Sequence, residues 1–231
     1  QETITYLENG PTLFRGSFTF SNGKFFPQFR VPKDITYSKN NAKLRFNISD
    51  GNNREALVYV SNIPLTLGAP STDTEGPIII FETQNGRMLR SGDHIPQDET
   101  LVIRLSAPLG INLTGEKGHE LWIIDPATET KMNVVDQFIY DTNSLNTGTI
   151  QLPIDSEADA LSLGISAWDN ANNPTEIQID LILLKSKKLD LLHVLNFPNP
   201  FTNDTQFTFE VTAPASAVSY THLTLPTSDL V

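Results

Sequence analysis

Residues 160–184 read ALSLGISAWDNANNPTEIQIDLILL. Two runs within this stretch, 160–167 and 177–184, place apolar side chains at every second position, the period of a strand with one face on a core. Between them, Asp169-Asn170-Ala171-Asn172-Asn173 is turn chemistry, because Asn and Asp side chains bond back to their own backbone and tolerate left-handed conformations. The stretch therefore predicts a β-hairpin, and the same pattern recurs on its N-terminal side. Short strands are expected at 78–82, 101–105, 121–125 and 149–152, with turn residues between them. No segment carries apolar residues at helical spacing through three turns, and Gly, Pro, Asn and Thr interrupt the chain too often for long helices. The expected class is all-β, with residues 71–187 forming a β-sandwich domain.

Further toward the N-terminus, TLFRGSFTFSNGKFFPQFRVP (12–32) alternates apolar and polar positions around Ser21-Asn22-Gly23, a hairpin signature with Phe18, Phe20, Phe25 and Phe29 facing one core. A second hairpin is expected from 42–49 and 56–61, joined through Asp50-Gly51-Asn52-Asn53. That makes four or five strands by residue 67, where an immunoglobulin-like sandwich needs about seven. Residues 1–70 accordingly read as the C-terminal part of such a sandwich, incomplete at its N-terminus, with a polar linker over 68–77. On the other side, Lys185-Ser186-Lys187-Lys188 reads as a hinge. It opens a third module over 188–217, truncated after its first strand, in which Pro198 and Pro200 hold the backbone extended. Phe197, Phe201, Phe207 and Phe209 would then lack an opposing sheet, with Phe207 and Phe209 partly exposed or docked on a neighbour.

The 231 residues carry 16 basic and 27 acidic side chains, a net charge of −11, which argues against nucleic acid and anionic membranes as partners. No apolar run is long enough for a transmembrane segment. There is no cysteine, hence neither a disulfide framework nor a thiol nucleophile within these residues. The chain begins at Gln1 with neither Met nor the basic and apolar regions of a signal, which reads as a piece of a longer chain.

Few residues carry candidate chemistry. Asp169, Asn170 and Asn172 put oxygen ligands at close spacing, as calcium loops do, although Asx residues are also the ordinary occupants of a hairpin turn. His119 has acidic neighbours that would suit a base or a ligand, and a turn-bracing role as well. His94, His193 and His222 lie in separate segments without zinc spacing. No G-x-S-x-G elbow is present, so no catalytic residue is assigned. Trp122 and Trp168 fit core packing, and an exposed pair would suit a sugar. No cofactor is expected beyond the calcium alternative.

In order along the chain, GKFFPQFRVPKDITY (23–37), DTEGPIIIF (73–81), GINLTGEKGHELWIIDP (110–126), AWDNANNPTE (167–176) and LNFPNPFTNDTQFTFE (195–210) resemble the region downstream of the peptidase domain in type IX secretion sortases, the PorU-type, gingipain-like cysteine peptidases. The resemblance implies a place at the extracellular face of the bacterial outer membrane. It implies as partners an upstream caspase-like catalytic domain of the same chain and outer-membrane components of the secretion system. The parent activity it implies, cleaving C-terminal sorting signals from cargo and attaching the cargo to the surface, uses a Cys and a His that lie upstream. The alternative reading is a multidomain surface adhesin or carbohydrate-binding β-sandwich protein. VSYTHLTLPT (218–227) resembles a translated sequencing adapter, which marks residues 218–231 as a non-native tail.

Overall fold

Alternation of burial along the strands builds a two-sheet body over residues 78–184. The protein is described by a computed structural model covering residues 10–20, 22, 24, 28–33, 35, 41–65, 71–115, 117–185, 191–211, 215, 216, 218 and 220. One sheet contains β3 (Ile78–Thr83), β5 (Thr100–Ser106), β8 (Ile139–Tyr140) and β9 (Thr147–Pro153), in the order β3-β5-β9-β8. The other contains β4 (His94–Pro96), β6 (Trp122–Ile124), β7 (Lys131–Asn133), β10 (Ala160–Trp168) and β11 (Pro174–Leu184), in the order β4-β11-β10-β6-β7. The pairs are antiparallel except β4 with β11.

The inner faces of the two sheets share one core. Phe81, Leu101, Ile103, Leu105 and Ile150 from the first sheet pack with Ile95, Ile123, Leu163, Ile165, Ile179 and Leu181 from the second. This is the geometry a sheet with one apolar face must adopt to remove that face from water, and the described protein is all-β with a β-sandwich at its centre. A single 3₁₀ turn, Val135–Gln137, delivers Phe138 into the core with no exposed surface. Gly148 makes room for it: a Cβ there would lie 2.5 Å from both the Phe138 ring and the Ile139 carbonyl oxygen.

All six strands expected between residues 78 and 184 are present. The short strands β4, β7 and β8 are additions, two or three residues each, too brief to show a period. The expected 12–32 hairpin is not among the described strands, and its Phe25 lies outside the described residues. Residues 15–17 instead line the outer edge of β8. A parallel bridge joins Gly16 to Tyr140, the Tyr140 N–H donates to the Arg15 carbonyl at 3.1 Å, and the Asn143 N–H donates to that of Ser17 at 2.8 Å. Phe14 stacks on the Tyr140 ring at 4.7 Å, with Phe18 and Phe29 beside it, whereas Phe20 is exposed. The physical cause is the β8 edge, whose unpaired backbone groups offer a ladder to any neighbouring extended segment.

The two flanking hairpins are simpler. β1 (Ala42–Ser49) and β2 (Glu55–Ile63) pair antiparallel as expected, and they are the only strands described before residue 67, where four or five were expected. Within residues 188–217 two strands are described where one was expected: β12 (Leu191–Phe197) pairs with β13 (Gln206–Val211) across a bulge between Leu192 and Leu195. Thr205 helps close that connection, its hydroxyl donating to the Pro198 carbonyl at 2.8 Å. The expected hinge over 186–188 and nearly all of the expected tail lie outside the described residues.

Candidate functional site

The turn between β10 and β11 forms one end of the sandwich. Asp169 is wholly buried, and its carboxylate accepts from three N–H groups of its own turn. Oδ1 accepts from the backbone N–H of Ala171 at 2.9 Å and of Asn173 at 2.7 Å, and Oδ2 accepts from the Asn173 side chain at 3.0 Å. Asn172 takes the left-handed conformation, φ +68°, that such a turn requires. Asn170 reaches the other way, donating through Nδ2 to the Leu109 carbonyl at 2.8 Å, while its Oδ1 is buried without a partner. Asn112 Nδ2 approaches Asn172 Oδ1 at 3.5 Å.

The three residues predicted as oxygen ligands are thus brought together as parts of one turn. Both Asp169 oxygens are engaged by N–H donors, so calcium here would compete with the bonds that shape the turn. Among the described residues, no group of three or more His, Asp or Glu side chains is placed to hold a metal ion.

Neighbouring segments are tied to this turn. The loop at 107–112 bridges to it through Ile111 opposite Asp169, and the Asn112 N–H donates to the Trp168 carbonyl at 2.8 Å. The Lys33 N–H donates to the Asn170 carbonyl at 3.0 Å, and Asn173 Nδ2 donates to the Asp73 carbonyl at 3.1 Å. Two of the sequence motifs, VPKDI and the segment opening at Asp73, therefore meet at one place.

Tyr140 fastens the 107–112 loop from the opposite sheet. Its hydroxyl accepts from the Ile111 N–H at 2.6 Å and donates to the Ile111 carbonyl at 3.0 Å. Burial pushes its pKa from 10.0 up to about 12, against a smaller opposing effect of the Ile111 hydrogen bond. The unfolded chain ionises this hydroxyl first. Stability from this group is therefore intact below about pH 10 and lost between about pH 10 and 12, on the order of 2–3 kcal/mol in all. Tyr140→Phe is expected to cost about 1–2 kcal/mol at neutral pH, because the Ile111 N–H loses its acceptor, and to flatten the alkaline loss. Urea unfolding of both proteins at neutral and alkaline pH checks this.

The sequence left the two tryptophans between core packing and an exposed pair suited to a sugar. The structure places both half-buried, outside the core cluster, on the outward face of the five-stranded sheet. His119 packs edge-on against Trp168, with ring centroids 4.6 Å apart. His94 and His193, far apart in sequence, approach at 5.4 Å. His193 occupies the β12 bulge with φ +52°, and its Nδ1 lies 3.6 Å from Glu210 Oε2. His222 lies outside the described residues.

The phenylalanines of the third module are open to water. Phe207 is 57% and Phe209 43% exposed, as expected, and Phe197 at 81% and Phe201 at 52% are exposed as well. On β2, Val58 and Val60 are exposed as well.

No protein-family model matches the chain, and no curated protein matches it. Among solved structures, the chain is similar to dimeric latent PorU from Porphyromonas gingivalis at 24% identity and a TM-score of 0.44. The match covers 80% of this chain and 18% of that one, so the chain spans less than a fifth of that protein's length.

Proposed function

We propose that the chain is a non-catalytic β-module region of a cell-surface type IX secretion sortase, whose caspase-like catalytic domain lies upstream in the same polypeptide. On this reading the parent trims C-terminal signals from exported cargo and attaches the cargo at the outer face of the outer membrane. These residues contribute no nucleophile. They support the catalytic domain and dock outer-membrane components of the secretion apparatus, and the flanking hairpins belong to immunoglobulin-like sandwiches in tandem with the central one.

The observation that carries the docking role is the exposed apolar surface on the two hairpins that flank the sandwich in sequence. β2 exposes Val58 and Val60, and β12–β13 exposes Phe197, Phe207 and Phe209. Exposed apolar surface of this kind marks places where another module or protein sits. The ordered set of motifs from residue 23 to residue 210 supports the family assignment. Among the described residues no helix is long and apolar enough to cross a membrane.

A contiguous genomic read is expected to place a caspase-like domain with Cys and His upstream of Gln1 in the same frame; adhesin repeats in its place would overturn the assignment. In that longer protein, Phe197→Ser combined with Phe207→Ser is expected to reduce co-purification with outer-membrane secretion components several-fold while peptidase activity persists. Unchanged co-purification would remove the docking role from this hairpin.

A further inference from the structure

We propose that the outward face of the five-stranded sheet is a binding platform for an uncharged oligosaccharide, with Trp122 and Trp168 as its stacking rings. Leu163, Ile165 and Ala167 on β10 and Ile123 on β6 are buried in the core. Strand alternation therefore sends Ser162, Gly164, Ser166 and Trp168, together with Trp122 and Ile124, to the opposite side. The register then fixes their neighbours. Trp122 lies opposite Ser166, Ser166 opposite Glu176, and Trp122 opposite Asn133 on β7. Trp168 is one same-face step beyond Ser166 and so stands diagonal to Trp122, a spacing of about 7–8 Å that indole rings readily span.

On the central strand Ser162 and Ser166 lie on the same face as these rings, with Gly164 between them buried against Ile124. Glu176, Gln178 and Asp180, exposed on the neighbouring β11, form a polar wall beside them. Along β11 this polar edge runs about 13 Å from Glu176 to Asp180, roughly the length of a trisaccharide. The polar wall is preorganised: the Ser162 hydroxyl donates to Asp180 Oδ1 at 2.6 Å, and Gln178 Nε2 donates to Ser162 Oγ at 3.0 Å and to Asp180 Oδ1 at 3.1 Å. His119 packed against Trp168 limits the rotation of that indole.

A pyranose matches both halves of this surface. Its C–H face stacks on an aromatic ring while its hydroxyls exchange hydrogen bonds with carboxylates, amides and serines at the edge. Charge narrows the class further. Glu176 and Asp180 on the wall, in a chain of net charge −11, repel uronates and sulfated or phosphorylated sugars, leaving neutral and N-acetylated ones. An apolar peptide would use the rings and leave the polar wall idle. The platform is independent of the docking role assigned to the hairpins.

The full chain is titrated with cellotriose, mannotriose and N,N′,N″-triacetylchitotriose, with trigalacturonate as the anionic counterpart, while tryptophan emission is followed. At least one uncharged trisaccharide is expected to give a saturable change at roughly millimolar concentration or below, with no response to trigalacturonate. Trp122→Ala and Trp168→Ala are each expected to weaken binding about tenfold or more. Gln178→Ala, on the exposed wall, is expected to weaken it about threefold without changing the melting temperature, so the test stands even where a tryptophan substitution unsettles the sheet. Absence of a saturable response to all three uncharged sugars, an equal response to trigalacturonate, or binding unchanged in Gln178→Ala overturns the proposal.

Discussion

Replacing Phe138 by alanine is expected to destabilise the protein by about 3–5 kcal/mol, the cost of deleting a fully buried ring from a core that cannot collapse around the void. The ring lies between the sheets with no exposed surface, edge-to-face with Tyr140 at 5.0 Å and against the space left by Gly148. Gly148 lies in paired β9 backbone and has no side chain with which to fill the gap. Thermal unfolding should show a drop of roughly 10 °C or more. Phe138→Leu, which returns most of the volume, should recover more than half of the loss. A fall of less than about 1 kcal/mol for alanine would mean that the 3₁₀ turn does not anchor the sandwich.

The second large effect is expected at Asp169. Asp169→Ala deletes the acceptor of three N–H groups in a turn closed to water, at a cost of about 2–4 kcal/mol. Asp169→Asn keeps one oxygen for the backbone donors of Ala171 and Asn173 but sets an amide N–H₂ against the Asn173 amide, and should lie between wild type and alanine. Since Asn170 and Asn173 carry contacts to Lys33 and Asp73, proteolysis within 28–35 and 71–77 should accelerate in the alanine variant. Melting curves in about 1 mM calcium and in EDTA are expected to coincide if the carboxylate serves only the turn, and a calcium-dependent shift would assign it an ion.

Both residues show how far the sequence could be read. The Asp169 turn was legible, because Asx residues between two period-2 runs have a local mechanism that needs no distant partner. What that turn holds was not, since Lys33, Asp73 and Leu109 come to it only through tertiary contact. The long strands of the sandwich declared themselves by alternation, while β4, β7 and β8 are too short to have a period. At Phe14 to Phe20 the alternation was legible, but the β8 edge that residues 15–17 join was not: the pattern specifies an extended segment and says nothing of which edge it joins. The orientation of Trp168 was available from parity, as Leu161, Leu163, Ile165 and Ala167 take the inner face. That of Trp122 was not, because Leu121-Trp122-Ile123-Ile124 is apolar throughout.

The pairing of residues 15–17 with β8 separates the unit that folds from the unit that the linker at 68–77 would suggest. A protein beginning at residue 71 would keep both sheets yet lose the Phe14 ring from Tyr140, the Arg15 guanidinium from the Val135 and Asp136 carbonyls, and the backbone partner of the β8 edge. That edge would then recruit whatever extended chain is nearest, including a second copy of itself. Residues 14–17 thus act as a built-in guard against strand exchange, and the linker marks a seam in sequence that the folded molecule has sewn across.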